Sequence, residues 1–290
     1  MSSVFNKMLN KTDSSNSYSR NNYLSRTYQT ITLTEANDIL TVTLNRPEKK
    51  NAMSFEMMKE LIHLAKGLKK DRQTRVVILN GAGDTFCAGI DLGDLNDPKN
   101  ATMAMYELVK PTQSIFQKVC LIWREVPMPV ISVTHGYCIG AGMQLALGCD
   151  FRISAAECQF SIMEAKWGLV PDMGLTQSAL HLLPVDTLKE LTMTARLISA
   201  DEAQQLHLVT HVDDEPYQRA QALAEEITTR SPDAVLASKR VINRMTQQGC
   251  GALYQEKMWQ LKLMAGGKNR KLAIKKAKDN SVQFLKRQFG

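Results

Sequence analysis

Val130-Ile131-Ser132-Val133-Thr134-His135-Gly136-Tyr137-Cys138-Ile139-Gly140-Ala141-Gly142-Met143-Gln144-Leu145-Ala146-Leu147 holds three local signals in one run. Residues 130–134 are mostly β-branched and follow Pro127 and Pro129, which stop a preceding helix from continuing, so they read as a buried strand. His135-Gly136 and Gly140-Ala141-Gly142 interrupt, and residues 143–147 look like the first turns of a buried helix. A helix that starts from a glycine turn leaves its first N–H groups without intrahelical partners, at the positive end of its dipole.

Moving outward, residues 28–35 and 39–44 alternate apolar and polar in the strand manner, with Glu35-Ala36-Asn37-Asp38 as the hairpin turn. Met53, Met57, Leu61, Leu64 and Leu68 recur at helical spacing, with Ser54 as the cap and Lys69-Lys70 closing the negative end. Residues 75–80 form another buried strand, ended by Gly81-Ala82-Gly83. A polar stretch, 94–99, leads to a helix that ends at Glu125-Val126. Short strands are expected at 150–154 and 159–162; beyond Pro171 the pattern is helical except at Leu208-Val209-Thr210. The chain therefore reads as α/β, with a core over 28–210 and a helical region over 211–290. Residues 1–27, with seven Ser and five Asn, are expected to be flexible.

Composition excludes several classes. With 290 residues and 44% hydrophobic composition the chain can bury a large core, and no apolar run approaches the ~20 residues that cross a bilayer. A cytoplasmic address follows, or the mitochondrial matrix if the Ser-rich, acid-poor N-terminal segment is a transit peptide. The six cysteines form no C-x-x-C pair and read as buried thiols; His207 and His211 lack further ligands, so no metal is expected. The net charge of +7 is concentrated at the ends: residues 262–290 hold nine Lys/Arg against one acid. That tail suits phosphates of a ligand or a solvated face; a nucleic-acid or membrane partner is not expected.

Gly81-Ala82-Gly83 after a strand invites a dinucleotide-binding reading, but Phe86 stands where the third glycine would and no helix opens there. Ala88-Gly89-Ile90-Asp91 and Gly140-Ala141-Gly142 are more suggestive. Each follows an apolar strand and can expose an unpaired N–H; two such donors converging on one carbonyl make an oxyanion hole, whereas the bland alternative is a pair of plain turns.

The segments Leu44-Asn45-Arg46-Pro47-Glu48-Lys49-Lys50-Asn51-Ala52-Met53, Phe86-Cys87-Ala88-Gly89-Ile90-Asp91-Leu92, His135-Gly136-Tyr137-Cys138-Ile139-Gly140-Ala141-Gly142 and Gly148-Cys149-Asp150-Phe151-Arg152 resemble, in order and spacing, the crotonase or enoyl-CoA hydratase/isomerase superfamily. The resemblance spans about residues 28–262. It implies a crotonase-like spiral of ββα units with C-terminal helices that build a homo-trimer or dimer of trimers. The implied ligand is an acyl-CoA substrate, with no separate cofactor. The implied oxyanion hole is the backbone N–H of Ile90 and of Ala141, where the family usually has glycine at the second position. CoA is expected along Ala88, Asp91 and Leu92, with Lys286 and Arg287 of the tail nearby.

The acid/base positions depart from the family's hydratases, which carry two glutamates where this chain has Gln144 and Glu164. Gln144 cannot exchange a proton near neutrality, although its amide can orient a water or substrate oxygen. Asp172 matches an aspartate of the dienoyl-CoA isomerases, which also share the isoleucine at 90 but carry an acid where this chain has Gln144, so the match is two of three. It is the candidate second acid/base, the alternative being a cap for a helix starting near Gly174. Hydration of a 2-enoyl-CoA and a double-bond shift both stay open, as does a non-catalytic acyl-CoA-binding protein.

Overall fold

The computed structural model describes residues 23–180, 182–245, 257–258, 260–261, 264–265, 268–279 and 281–282. β1 (Ile31–Ala36) and β2 (Ile39–Leu44) pair antiparallel around Asn37-Asp38. Both turn residues are left-handed, φ 54° and 61°, which Asn and Asp tolerate and a two-residue hairpin requires. The turn is thus tighter than the four residues the sequence suggests. α1 (Phe55–Leu68) begins where the Ser54 hydroxyl accepts the Met57 N–H at 3.2 Å, and its buried stripe contains Met57, Leu61, Leu64 and Leu68. β3 (Val76–Gly81) follows, then α2 (Leu92–Leu95), α3 (Pro98–Val109) and α4 (Ile115–Leu121), the last continued by a 3-10 turn that stops at Arg124 before the prolines.

β4 (Val130–Thr134), β5 (Tyr137–Ile139) and α5 (Ala141–Leu147) realise the strand–turn–helix run. β6 (Phe151–Ser154) and β7 (Gln159–Ser161) repeat the two-strand part. The remaining elements are α6 (Leu175–Ser178), α7 (Val185–Thr194), β8 (Ile198–Ser199), α8 (Ala200–Gln205), β9 (His211–Val212), α9 (Pro216–Thr228), α10 (Pro232–Met245) and α11 (Lys268–Lys276).

One sheet has the order β1-β2-β3-β4-β6-β9 and is parallel beyond the first hairpin; the other is β5-β7-β8. Each pass of the chain places one strand in the first sheet and the next few residues in the second layer. β4 is followed by β5 and β6 by β7, while the shorter rungs Cys87↔Cys138 and Met53↔Ile90 carry the second layer back to the segments after β3 and β2. This is a spiral of ββα turns. Alternation within the strands fixes what each face meets: Val77, Leu79 and Val130 join the main core with α1, α4 and α5, whereas Val76, Ile78, Ile131 and Val133 pack under Ala220 and Ala224 of α9.

Two boundaries differ from expectation. Tyr23, placed by composition in the flexible segment, is 2% exposed; its hydroxyl donates to Asp71 at 2.5 Å, so the packed chain reaches back before residue 28. β9 lies at His211–Val212, beyond the core boundary drawn at 210, because its partner is β6 of the main sheet. His207 is left-handed (φ 61°) and not part of a strand.

The Gly148–Arg152 segment proves structural. Lys239 of α10 is buried and uses its ammonium fully, donating to the carbonyls of Trp123 and Met128 at 2.9 Å and to Asp150 Oδ2 at 2.7 Å. Arg152 donates to the carbonyls of Leu208 and Cys149. Removing one partner of a buried ion pair strands the other, so Lys239→Met is expected to cost about 3–5 kcal/mol. Urea denaturation measures it; a loss below ~1 kcal/mol would contradict the assignment.

Candidate active site

The Met53↔Ile90 rung explains how a backbone donor becomes available. Met53 makes both bonds of this parallel bridge: its N–H donates to Gly89 O at 2.8 Å and its carbonyl accepts from Asp91 N–H at 3.0 Å. Ile90, between those two partners, turns its own N–H to the other side, and among the described residues that N–H reaches no backbone acceptor.

The second donor comes from α5. Gly140 adopts φ 53°, ψ −114° and donates its N–H to Ser161 O at 2.9 Å, so the helix starts at Ala141, whose N–H has no partner within the helix. Ala141 sits in ordinary helical backbone, and its methyl is accommodated without the strain that a glycine-preferring position would impose. Gly142 holds the two donors together: a Cβ there would stand 2.5 Å from Cys87 O, so only glycine lets α5 press against the 87–90 segment. A Cβ built on Gly140 would lie 3.9 Å from Gly89 Cα and 3.6 Å from Glu164 Oε1, which brings the acid/base group to the same spot.

Glu164 opens a 3-10 turn after β7, closed by Gly168 in left-handed backbone. The residue is partly exposed as a whole, but its carboxylate is sunk, and Oε2 is shut from solvent with no hydrogen-bond partner among the described residues. Burial lifts its pKa to about 6, against hydrogen bonds from its own backbone N–H and from Gln144 that favour the ionised form. Gln144, 1% exposed on α5, fixes the other oxygen: Nε2 donates to Glu164 Oε1 at 2.7 Å. Its amide orientation is set chemically, because Oε1 accepts the Met173 N–H at 3.0 Å. Asp172, 9% exposed, stands beside Met173 on the wall of the same cavity.

That cavity, of about 130 Å³, is otherwise mostly apolar, with Leu95, Phe116, Trp167 and Met264 among its walls and Gln260 as a further polar side chain. It is too small for a whole cofactor-sized ligand and suits the reacting end of one. Two larger hollows, of about 690 and 590 Å³, flank α10, but neither is lined by Glu164, Asp172 or the two backbone donors.

The residues read from sequence thus divide. Ile90, Ala141, Glu164 and Asp172 line one cavity with Ala88 and Leu92, and Gln144 is tied to it through Glu164. Asp91, expected along CoA, also has a structural task. Its Oδ2 accepts from Arg46 at 2.8 Å and its Oδ1 from the N–H groups of Gly93 and Asp94. Burial would raise its pKa, but these bonds, Arg46 foremost, hold it below the usual carboxylate range. Lys286 and Arg287 lie outside the described residues. Sequence reasoning passed over Asn51, fully buried and left-handed (φ 51°), whose amide donates to the Ala82 and Thr85 carbonyls and accepts the Arg46 N–H. The available signal was a polar residue inside the first motif without an assigned role.

A family model described as enoyl-CoA hydratase/isomerase matches residues 34–276. The mouse protein named Delta(3,5)-Delta(2,4)-dienoyl-CoA isomerase, mitochondrial, is 38% identical over 224 residues, 73% of this chain and 68% of its own length. A short-chain-enoyl-CoA hydratase of Clostridium acetobutylicum is 30% identical over 220 residues, 75% of this chain and 82% of its own. Among solved structures, a Thermobifida fusca protein in complex with CoA superposes with a TM-score of 0.68 at 31% identity, covering 84% of this chain and 95% of that one.

Proposed function

Because the chain belongs to the enoyl-CoA hydratase/isomerase family, we propose that it is an enzyme that holds a fatty-acyl-CoA thioester with its carbonyl oxygen between the Ile90 and Ala141 N–H groups. Two backbone donors aimed at that oxygen stabilise the enolate formed when a proton leaves the acyl chain, so a modest carboxylate suffices as base. Glu164 is that base. The arrangement of Gln144 favours a double-bond shift over hydration. Its NH₂ is bound to Glu164 Oε1 and its oxygen to the Met173 N–H, so a water would find a spent amide at the position where the two-glutamate mechanism places its other carboxylate. Asp172, on the same cavity wall, is the second carboxyl: one group removes a proton from the chain and the other returns one further along.

The CoA moiety runs out past Ala88 and Leu92, no cofactor beyond the substrate's own CoA takes part, and neither nucleic acid nor membrane is a partner. A homo-trimer or dimer of trimers covers the apolar side chains exposed on α7 and α10, Val185, Met193, Val241 and Ile242. The compartment is the cytoplasm, the mitochondrial matrix being the alternative that the mouse relative's name supports. Among the described residues no helix is long and apolar enough to cross a membrane.

The experiment is product analysis in deuterated water with a 3,5-dienoyl-CoA and with crotonyl-CoA. The expected result is a shifted double bond without net hydration, and a loss of about 10²-fold in turnover for Asp172→Asn at unchanged binding. A 3-hydroxyacyl-CoA product would support hydration instead. Tight thioester binding without turnover of either substrate would support the non-catalytic reading.

A further inference from the structure

We infer that Arg46 is a positioning residue for catalysis: clamped between the Ala52 carbonyl and the Asp91 carboxylate, its guanidinium fixes the direction of the Ile90 N–H. This rests on the oxyanion-hole reading above.

The Ile90 donor belongs to an isolated rung and not to a strand: the two Met53 bonds and the Ala88 N–H bond to Lys50 O at 3.0 Å hold the segment on one side, but no regular ladder continues past Asp91. The restraint comes from the sides. Arg46 Nη1 donates to Ala52 O at 2.6 Å and Nη2 to Asp91 Oδ2 at 2.8 Å. Ala52 precedes Met53 and Asp91 follows Ile90, so one planar fork spans the rung. A second tie lies beyond it, where Asp94 Oδ2 accepts the Phe55 N–H at 2.6 Å. Asp91 links the two ties, since its Oδ1 accepts the Asp94 N–H.

Arg46 is not among the residues lining the cavity, so it acts through the backbone and not on the ligand. The Arg46–Asp91 pair keeps 18% and 16% of its side-chain surface in solvent, where an ion pair adds little to stability. Its consequence is geometric. Lysine keeps the charge but carries its donors on a single nitrogen, which cannot reproduce the two separated, coplanar donors with which the guanidinium spans Ala52 O and Asp91 Oδ2. An oxyanion donor that swings away loses its alignment with the charge that develops in the transition state while affecting ground-state binding less.

The test compares wild type with Arg46→Lys, Arg46→Gln and Asp91→Asn, using turnover of the 3,5-dienoyl-CoA and the absorption band of bound 4-dimethylaminocinnamoyl-CoA. That probe's band moves to the red when its carbonyl is polarised. Each variant is expected to lose about 10- to 100-fold in kcat with KM within about threefold, and to show a smaller red shift. Arg46→Lys combined with Asp91→Asn should be no worse than the poorer single variant, because the two act as one clamp. A full red shift and unchanged kcat in the variants would overturn the role of Arg46, as would a loss confined to KM or to thermal stability. No red shift in the wild type would instead overturn the oxyanion-hole reading itself.

Discussion

Glu164→Gln is expected to lower turnover of the substrate by about 10³-fold, while acyl-CoA binding stays close to that of the wild type. The amide keeps the volume of the carboxyl and can still accept the Gln144 Nε2–H, so the cavity retains its shape. What goes is the acid/base group whose Oε1 lies 3.6 Å from a Cβ built on Gly140, next to the proposed position of the thioester carbonyl. Binding by calorimetry and turnover by absorbance separate the two effects; a variant that keeps a tenth of the activity would exclude Glu164 as the proton-transfer group. The wild-type pH profile follows from the same carboxylate. Burial holds its pKa at about 6, so the base is protonated below that pH and kcat/KM should rise through it to a plateau above.

The shift also carries a stability term of opposite tendency. Between the ordinary value of 4.5 and about 6, the folded chain binds a proton that the unfolded chain has released. Stability from this group is therefore greatest below 4.5 and declines as pH rises through that window. Glu164→Gln removes the buried charge, and at pH 8 the variant should be more stable than wild type by roughly 2 kcal/mol, the difference fading in acid. The unpartnered Oε2 is the structural sign of this cost: a cavity kept polar for chemistry is less stable than it could be.

How legible this was depended on how local each feature is. The strands of the main sheet announce themselves as β-branched runs between glycines and prolines, and α1 by the spacing of four apolar residues behind Ser54. In the second sheet only β7 was legible, within the strand expected at 159–162; β5 has three residues and β8 two, too short for a period to show. The ligand-side donors could be named through the glycine turns and the family resemblance. That the Ile90 N–H is free, however, follows from the pairing of Met53, thirty-seven residues earlier in the chain, with both neighbours of Ile90. Likewise Gln144 read as a missing acid; that its amide is spent on both Glu164 and Met173 is a tertiary fact. The structural task of Asp91 was hidden for the same reason, since a carboxylate beside a binding turn reads as a ligand contact and its bond to Arg46 is a tertiary fact.

The other backbone donor admits a mutation that side-chain logic would not suggest. Ala141 is the first residue of α5, where proline is tolerated because the N–H it lacks has no intrahelical partner. The residue before a proline must avoid the right-handed helical region, and Gly140 does so already, with φ 53° and ψ −114°. Ala141→Pro should therefore leave α5 and the fold in place while deleting one of the two donors, and its ring Cδ would occupy the position of the missing hydrogen. Loss of a single oxyanion-hole donor costs about 10²–10³ in rate, or ~3–4 kcal/mol of transition-state stabilisation. The expected result is a fall of at least 10²-fold in kcat/KM, with thermal unfolding unchanged within a few degrees and the red shift of the bound chromophoric thioester reduced or lost. Gly142→Ala is the contrasting variant, since its Cβ would meet Cys87 O at 2.5 Å and should force α5 away from the 87–90 segment, lowering stability and rate together. If Ala141→Pro folds and retains wild-type turnover, the thioester oxygen does not bind at the start of α5, and the catalytic assignment of this cavity fails with it.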